Sequence, residues 1–223
     1  MSHRNIFRSI FLTAVALSCL SACVGALSNS STPRYYEVSY PYRSANCTQD
    51  FQGVVKIWPF TASSPYDREE MIILDPSRQV RFSPQFRWVT LPGDMVADRL
   101  LRDFTQSRLF AGTITSGNPF SASLEMGGHV FRFAWEEFGA SARAVLDVEV
   151  SVWNGEPKRA VVFRRHYHFE STPSDVKGSS ERLAEDMSGL VQQLSRQLQE
   201  DLCSELPTSK GCSPTGSLSR AGG

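Results

Sequence analysis

Between residues 141 and 153 the side chains follow a period of two. Ala144, Leu146, Val148, Val150 and Val152 interleave with Arg143, Asp147, Glu149 and Ser151. That period belongs to a β-strand with one buried face, and no helix would bring those five apolar residues onto one stripe. Phe131, Phe133 and Trp135 repeat it in the preceding segment, 123–138, and a third extended segment, 156–170, follows. Gly139-Ala140 and Asn154-Gly155 each suit a two-residue turn. With both turns in place Trp135 faces Ala144, Phe133 faces Leu146, and Val148 faces Phe131 on one side and Val161 on the other. The apolar faces coincide, which predicts a three-stranded antiparallel meander with Leu146, Val148 and Val150 buried.

A sheet with one apolar face needs a second layer. From Pro92 onward Val96, Leu100, Leu101 and Phe104 fall at helical spacing, with Pro92 tolerated in the first turn and an end expected between Leu109 and Gly112. Residues 179–203 give a longer amphipathic helix, with Ser179 as N-cap and Leu183, Met187, Leu190, Val191, Leu194, Leu198 and Leu202 on one stripe. Upstream, 34–40 and 53–60 are aromatic and β-branched strand segments, the second closed by Pro59. Residues 63–70 read as a turn or short helix. Short strands at 71–74 and 79–82 flank Asp75-Pro76, and another covers 86–89. The fold class predicted is α+β, an antiparallel sheet packed by a central helix and a long C-terminal amphipathic helix. A composition of 41% hydrophobic and 21% charged residues, with 14 Phe, 6 Tyr and 4 Trp, can fill such a core.

The chain begins with Arg4 and Arg8 ahead of an apolar run from Ile10 to Leu20, the pattern of a secretory leader and too short to span a bilayer. Its last residues, Leu20, Ser21, Ala22 and Cys23, match the bacterial lipobox. The resemblance to lipoprotein leaders implies cleavage between Ala22 and Cys23, a diacylglycerol on the Cys23 sulfur and an acylated amine, so that several chains make the anchor permanent. Val24 follows where an Asp would signal retention, which by analogy with lipoprotein sorting points to the outer membrane. Residues 24–33 are uncharged, small and polar, a tether whose ten residues reach at most ~35 Å. The organisation expected is therefore a leader at 1–22, lipidated cysteine and tether at 23–33, a domain at 34–206 and a disordered tail at 207–223.

Export places Cys47, Cys203 and Cys212 in an oxidising compartment. Cys203 and Cys212 are near enough in sequence to close a short loop, a bridge from Cys47 to the end of the last helix is an equal candidate, and three unpaired cysteines are the remaining alternative.

Lys and Arg number 23 against 23 Asp and Glu, so no whole-chain positive field favours nucleic acid. The sequence holds no phosphate-cradling glycine loop, no Gly-x-Ser-x-Gly, no His-Glu-x-x-His and no Cys-x-x-Cys. His166 and His168 share a strand face, but that face also carries Arg164 and Glu170 and reads as a solvated surface rather than a metal site. His129 falls beside Phe131 as a core-edge histidine. Glu69-Glu70 and Glu136-Glu137 are adjacent in extended segments, so their side chains point to opposite sides and do not form an acid and base pair. Arg159, Arg164 and Arg165 make a local basic stretch that reads as surface charge serving solubility, with lipid headgroup contact as the lesser alternative, and Gly127-Gly128 suggests a bulge rather than a ligand loop. No catalytic residue, cofactor or metal is expected.

The order of parts carries a resemblance: lipobox, polar tether, Arg34-Tyr35-Tyr36, VVKIWPF, Tyr66-Asp67-Arg68 before MIIL, Val80-Arg81-Phe82 with Trp88, the helix DMVADRLLRDFTQSRLF, paired strands and a final amphipathic helix. Over residues 20–203 the chain resembles the ABC-type transport auxiliary lipoprotein family, the PqiC-like components of MCE-type lipid transport systems. The resemblance implies a non-catalytic outer-membrane lipoprotein facing the periplasm. It would bind a periplasmic MCE protein and, through it, an inner-membrane permease and ATPase, and would assemble as a homo-oligomer. Tyr35, Tyr36, Trp58 and Trp88 are the candidate partner surface. An envelope scaffold lipoprotein and a periplasmic enzyme whose site forms only on folding are the alternatives from other classes.

Wild-type protein expressed with its leader should fractionate with membranes and carry acyl mass at Cys23, whereas Cys23→Ala should lose both. Intact mass spectrometry reads the result, and a soluble, unacylated wild type would exclude the anchor.

Overall fold

The computed structural model describes residues 32–47, 51–157, 159–174 and 180–206. The leader, Cys23, tether residues 24–31, the Ser179 cap, Cys212 and the tail lie outside the described residues. Nine strands form one sheet: β1 (Arg34–Tyr36), β2 (Phe51–Ile57), β3 (Thr61–Ala62), β4 (Glu70–Leu74), β5 (Val80–Trp88), β6 (Phe110–Thr115), β7 (Leu124–Phe138), β8 (Ser141–Asn154) and β9 (Val161–Glu170). Among the described residues two helices, α1 (Pro92–Ser107) and α2 (Ser180–Glu205), complete the α+β architecture, one central and one C-terminal as expected.

β7 organises the sheet. At ~3.3 Å per residue its fifteen residues extend about 50 Å. β8 pairs antiparallel with it from end to end, from Leu124↔Asn154 to Phe138↔Ser141. Gly139, at φ +60, makes the tight turn expected there. The opposite edge of β7 is shared by three short strands, all parallel to it: β2 at Leu124 to Met126, β3 at His129 and Val130, and β4 at Trp135 and Glu136. The sheet is thus mixed. It is antiparallel in the meander and in β4–β5, and parallel where β1 meets β5 and β6 meets β2. β5 is one strand where two were expected, because a bulge opposite β4 accommodates Pro84 without a ladder hydrogen bond.

Even-numbered β8 residues face the helices. Ala142, Ala144, Leu146, Val148, Val150 and Val152 are all buried, each large one contributing about 1.5–3 kcal/mol. All seven α2 stripe residues are buried against this face, and α1 adds Val96, Leu100 and Phe104. Two registers differ from the expectation. A bulge between Val130 and Arg132 turns Phe131 to the outer face, and Val130 takes its place opposite Val148. The bulge therefore lies at Phe131 and not at Gly127-Gly128.

The β8–β9 connection is the second correction. Asn154-Gly155 is not a two-residue turn: the loop spans 155–160, and Val148 pairs with Tyr167 rather than Val161. Gly155 serves a close approach, since a Cβ there would lie 2.0 Å from the Ala122 carbonyl oxygen, and its N–H donates to the Ser123 carbonyl. Pro157 follows and has no N–H for a ladder. From Phe163 onward the displacement is an even number of residues, so those β9 side chains keep their expected face, but a register shift between Val152 and Trp153 sets Val161 opposite Trp153, on the outer face and not on the apolar one expected.

Strand β1 ends at Tyr36, and residues 37–47 cross both helices as a strap. Its backbone groups are met by helix side chains: Ser39 N–H donates to Ser188 Oγ, Arg102 donates to the Tyr40 carbonyl, and Gln192 donates to the Pro41 carbonyl. The Tyr40 hydroxyl donates to Asp103, and burial together with that carboxylate pushes the phenol pKa upward. The strap is closed by a Cys47–Cys203 disulfide. The alternative pairing of Cys203 with Cys212 is thereby excluded, because the end of α2 brings Cys203 to the strap.

At the same end of α2, Asp201 accepts from Tyr167 and from Gln197 and pairs with Arg165 at 2.7 Å. Burial alone would raise its pKa, but the hydrogen bonds from Tyr167, Arg165 and Gln197 outweigh it and hold the carboxyl below the ordinary value. A depressed carboxyl contributes stability above its unfolded pKa, and that contribution is lost as pH falls through the folded value.

The disulfide spans 156 residues of sequence, which places it at the upper end of loop-closure stabilisation. Cys47→Ser should cost about 2–5 kcal/mol in denaturant melts under oxidising conditions. The difference from wild type should vanish when both are reduced; an equal melt for both when oxidised would contradict the pairing.

Candidate functional site

With the inner face filled by helices, chemistry is left to the outer face of the meander. Odd-numbered β8 residues point there, and most are polar: Arg143, Asp147, Glu149 and Ser151. Their partners form a lattice of exposed charge pairs. Arg132 and Arg143 both hold Glu136, at 2.7 and 3.2 Å, Arg143 also holds Glu170, and Arg164 reaches Glu149 at 3.7 Å. His166 contacts Asp147, and His168 sits 3.6 Å from Asp147 and 3.2 Å from Glu170. Both histidines are half exposed and lie with Arg164 and Glu170, on the face assigned to them. Among the described residues no group of three or more His, Cys, Asp or Glu side chains is arranged to hold a metal ion. Pairs of this kind contribute about 0–1 kcal/mol each and define a surface more than they stabilise it.

Two features interrupt the lattice. The first is aromatic: bulged Phe131, 41% exposed, contacts the His129 ring at 4.6 Å and the His166 ring at 5.5 Å. His129 is fixed between hydroxyls, Thr61 Oγ1 at 2.6 Å from Nδ1 and Ser63 Oγ at 2.7 Å from Nε2. It belongs to the outer face and not to the core edge.

The second feature is a cleft of about 530 Å³ where β2 gives way to β3. Trp58 and Trp153 line it, with Glu125, Gly127, Arg159, Val161 and Arg164. Glu125 and Trp153 are register partners across β7 and β8, and Trp58 is held beside them because its N–H donates to the Met126 carbonyl. Both indole N–H groups donate to one oxygen of the Glu125 carboxylate, Trp58 at 2.8 Å and Trp153 at 3.2 Å. Glu125 is only 7% exposed. Gly127 makes the room: a Cβ there would lie 3.1 Å from the Trp153 ring and 3.7 Å from the Trp58 Cβ. The arrangement is a carboxylate floor with indole walls, a form suited to holding an organic cation.

The four residues expected to form one partner surface are dispersed. Tyr35 is exposed on β1, beside Arg87 of β5. Tyr36 ties β1 to α2: its hydroxyl donates to Glu181 and accepts from Ser180. Trp88 is buried at 1% exposure, edge-on to Phe133 at 5.2 Å, and is a core residue rather than a surface one. Only Trp58 lines the cleft. Glu125 and Trp153 escaped the sequence reading, and Gly127 was read as part of a bulge rather than a ligand loop; Trp153 left a signal, being a tryptophan at the next odd position after Glu149 and Ser151, where the alternation calls for a polar side chain.

No family model matches the chain, and no curated protein matches it in sequence. Solved structures do resemble it. Protein XCC0632 from Xanthomonas campestris, described as family-model DUF330, superposes with a TM-score of 0.67 at 14% identity, covering 76% of this chain and 95% of its own. An uncharacterized protein superposes with a TM-score of 0.54 at 13% identity, covering 79% of this chain and 100% of its own. At these identities the likeness establishes a shared fold.

Gly127→Val should push the Trp153 indole off Glu125 and close the cleft, at a cost of about 1–3 kcal/mol, with a shift in tryptophan emission. Gly117→Ala, where an added Cβ meets nothing within 4 Å, should leave emission and stability unchanged. Identical spectra for the two variants would refute the packing described.

Proposed function

We propose that the protein is a non-catalytic outer-membrane lipoprotein of an MCE-type, ABC-driven lipid transport system, acting by binding the periplasmic MCE protein. What carries the reading is the placement of the motifs behind the family resemblance, which fall at the joints of the fold. Arg34-Tyr35-Tyr36 forms the edge strand that anchors α2 through Tyr36 and Glu181. VVKIWPF covers most of β2 and the break before β3, and Tyr66-Asp67-Arg68 precedes β4, with the Arg68 guanidinium 4.4 Å above the Phe82 ring of β5.

In this scheme the lipidated Cys23, freed when the leader at 1–22 is removed, supplies the membrane side of the role, and the outer face of the meander offers an open surface for lipid or partner. ATP hydrolysis belongs to another subunit in this scheme, in keeping with the lack of a phosphate-cradling motif in the sequence. A homo-oligomer is the assembly expected.

Cross-linking of the full chain in cells should recover an MCE protein, and loss of the gene should weaken the envelope barrier to detergents. The double variant His166→Ala, His168→Ala should keep both phenotypes at wild-type level. Recovery of peptidoglycan enzymes alone, or loss of function in a folded double variant, would reject transport in favour of a scaffold or an enzyme.

A further inference from the structure

Three carboxylates are buried among the described residues: Asp103, Glu125 and Asp201. Two have an arginine. Asp103 is paired with Arg102 at 2.7 Å and accepts from Tyr40, and Asp201 is paired with Arg165 and accepts from Tyr167. Glu125 differs, since its hydrogen bonds come from two neutral indoles and no cation among the described residues reaches it. A glutamine would accept the same two N–H bonds through its amide oxygen without a buried charge, so the fold alone does not require the carboxylate. What the charge lacks is a cation, and it lines an open cleft walled by the two residues whose rings attract cations most strongly.

The rest of the cleft defines the cation further. Arg159 and Arg164 stand over it, both about 60% exposed, each engaged by a single carboxylate, Glu156 and Glu149 respectively. A guanidinium has five N–H donors, so each arginine retains donors for an anion. Val161, 53% exposed, adds an apolar shoulder. A cationic amine deep, an anion at the rim and apolar surface beside them match one chemical class, and about 530 Å³ lies within the ~300–1,000 Å³ range of small-ligand sites.

The structure assigns this cleft as a binding site for the head group of a zwitterionic phospholipid. The ammonium sits between Trp58 and Trp153 above Glu125, the phosphate faces Arg159 and Arg164, and the glycerol end lies along Val161. The lipid as source of the head group rests on the transport reading; the amine-phosphate chemistry does not.

The full chain in a nonionic detergent should be titrated with phosphoethanolamine, phosphocholine, glycerol 3-phosphate and Nα-acetyl-lysine amide, with indole fluorescence as readout. The first two should saturate, each at least tenfold tighter than glycerol 3-phosphate or the lysine amide. Glu125→Gln and Trp58→Leu should each weaken phosphoethanolamine at least tenfold while circular dichroism melts stay cooperative. Micelles doped with phosphatidylethanolamine should compete, and micelles doped with phosphatidylglycerol should not. Equal binding of glycerol 3-phosphate, tighter binding of the lysine amide, the absence of saturation in wild type, or full binding by both variants would overturn the assignment. Failure of doped micelles to compete would overturn the lipid source.

Cross-linking to the MCE protein, scored on the same Glu125→Gln chain, separates the two readings. A wild type that captures the MCE protein but no head group loses only the site. One that binds head groups without capturing the MCE protein loses only the transport role.

Discussion

β7 has two edges, one paired along its whole length and the other in three separate stretches. One is taken by β8 alone, and the other by β2, β3 and β4 laid end to end in the same direction. A sheet built this way has its register fixed from both sides at once, because a slip of β7 by one residue would expose Val130, Phe133 and Trp135 together and bring Glu125 and His129 under the helices. The buried face of β8 follows from the same constraint, since Val148 can face α2 only while it stands opposite Val130. The helices in turn fix the strap of residues 37–47, whose backbone depends on Ser188, Arg102 and Gln192 for its hydrogen bonds.

The two ends of α2 are secured differently. Near its start, Ser180 and Glu181 meet the hydroxyl of Tyr36, an arrangement open to solvent on one side. Near its end the Cys47–Cys203 bridge and the Arg165, Tyr167 and Asp201 cluster fasten the helix to the strap and to β9. The Tyr167 phenol is pushed above its ordinary pKa by burial and by Asp201, so it remains a donor across the physiological range. Covalent and hydrogen-bonded fastenings at one end, and exposed polar contacts at the other, make the start of α2 the end with less to lose on opening.

Period-two alternation made β7, β8 and β9 legible, and helical spacing did the same for α1 and for every stripe residue of α2. These are local patterns, each written in consecutive residues. The parallel pairings were hidden because nothing in Thr61-Ala62 or in FAGTIT announces a partner far along the chain. Phe131 misled for a related reason: a bulge adds one residue to a strand, and the apolar period reads straight through it. Gly155 looked like a turn residue because Asn-Gly commonly is one, whereas its missing side chain serves the Ala122 carbonyl. Trp88 was read as surface and is core, since an aromatic residue at a strand end carries no mark of which layer will cover it. The cleft was unreadable for the most general reason, being assembled from the β2–β3 connection, β7, β8, the β8–β9 loop and β9, with no two of its key residues adjacent in sequence.

The cleft is also a consequence of how β7 is paired. Three strands can lie end to end only if the chain steps away between them, and the first step is Trp58-Pro59-Phe60. Pro59 has no N–H to give a ladder, so the chain leaves the edge there, opposite Gly127 and Gly128. Phe60 turns inward to the core, at 4% exposure, and Trp58 turns outward. Strand pairing is thus absent at the place where β7 has no side chains to fill the space, and the indoles of Trp58 and Trp153 lean over the gap toward Glu125. Filling that gap with a longer β2 would restore the ladder and remove the concavity in the same step. The interruption of the sheet and the existence of the cleft are one structural fact, which is why the outer face carries this concavity at the junction of β2 and β3.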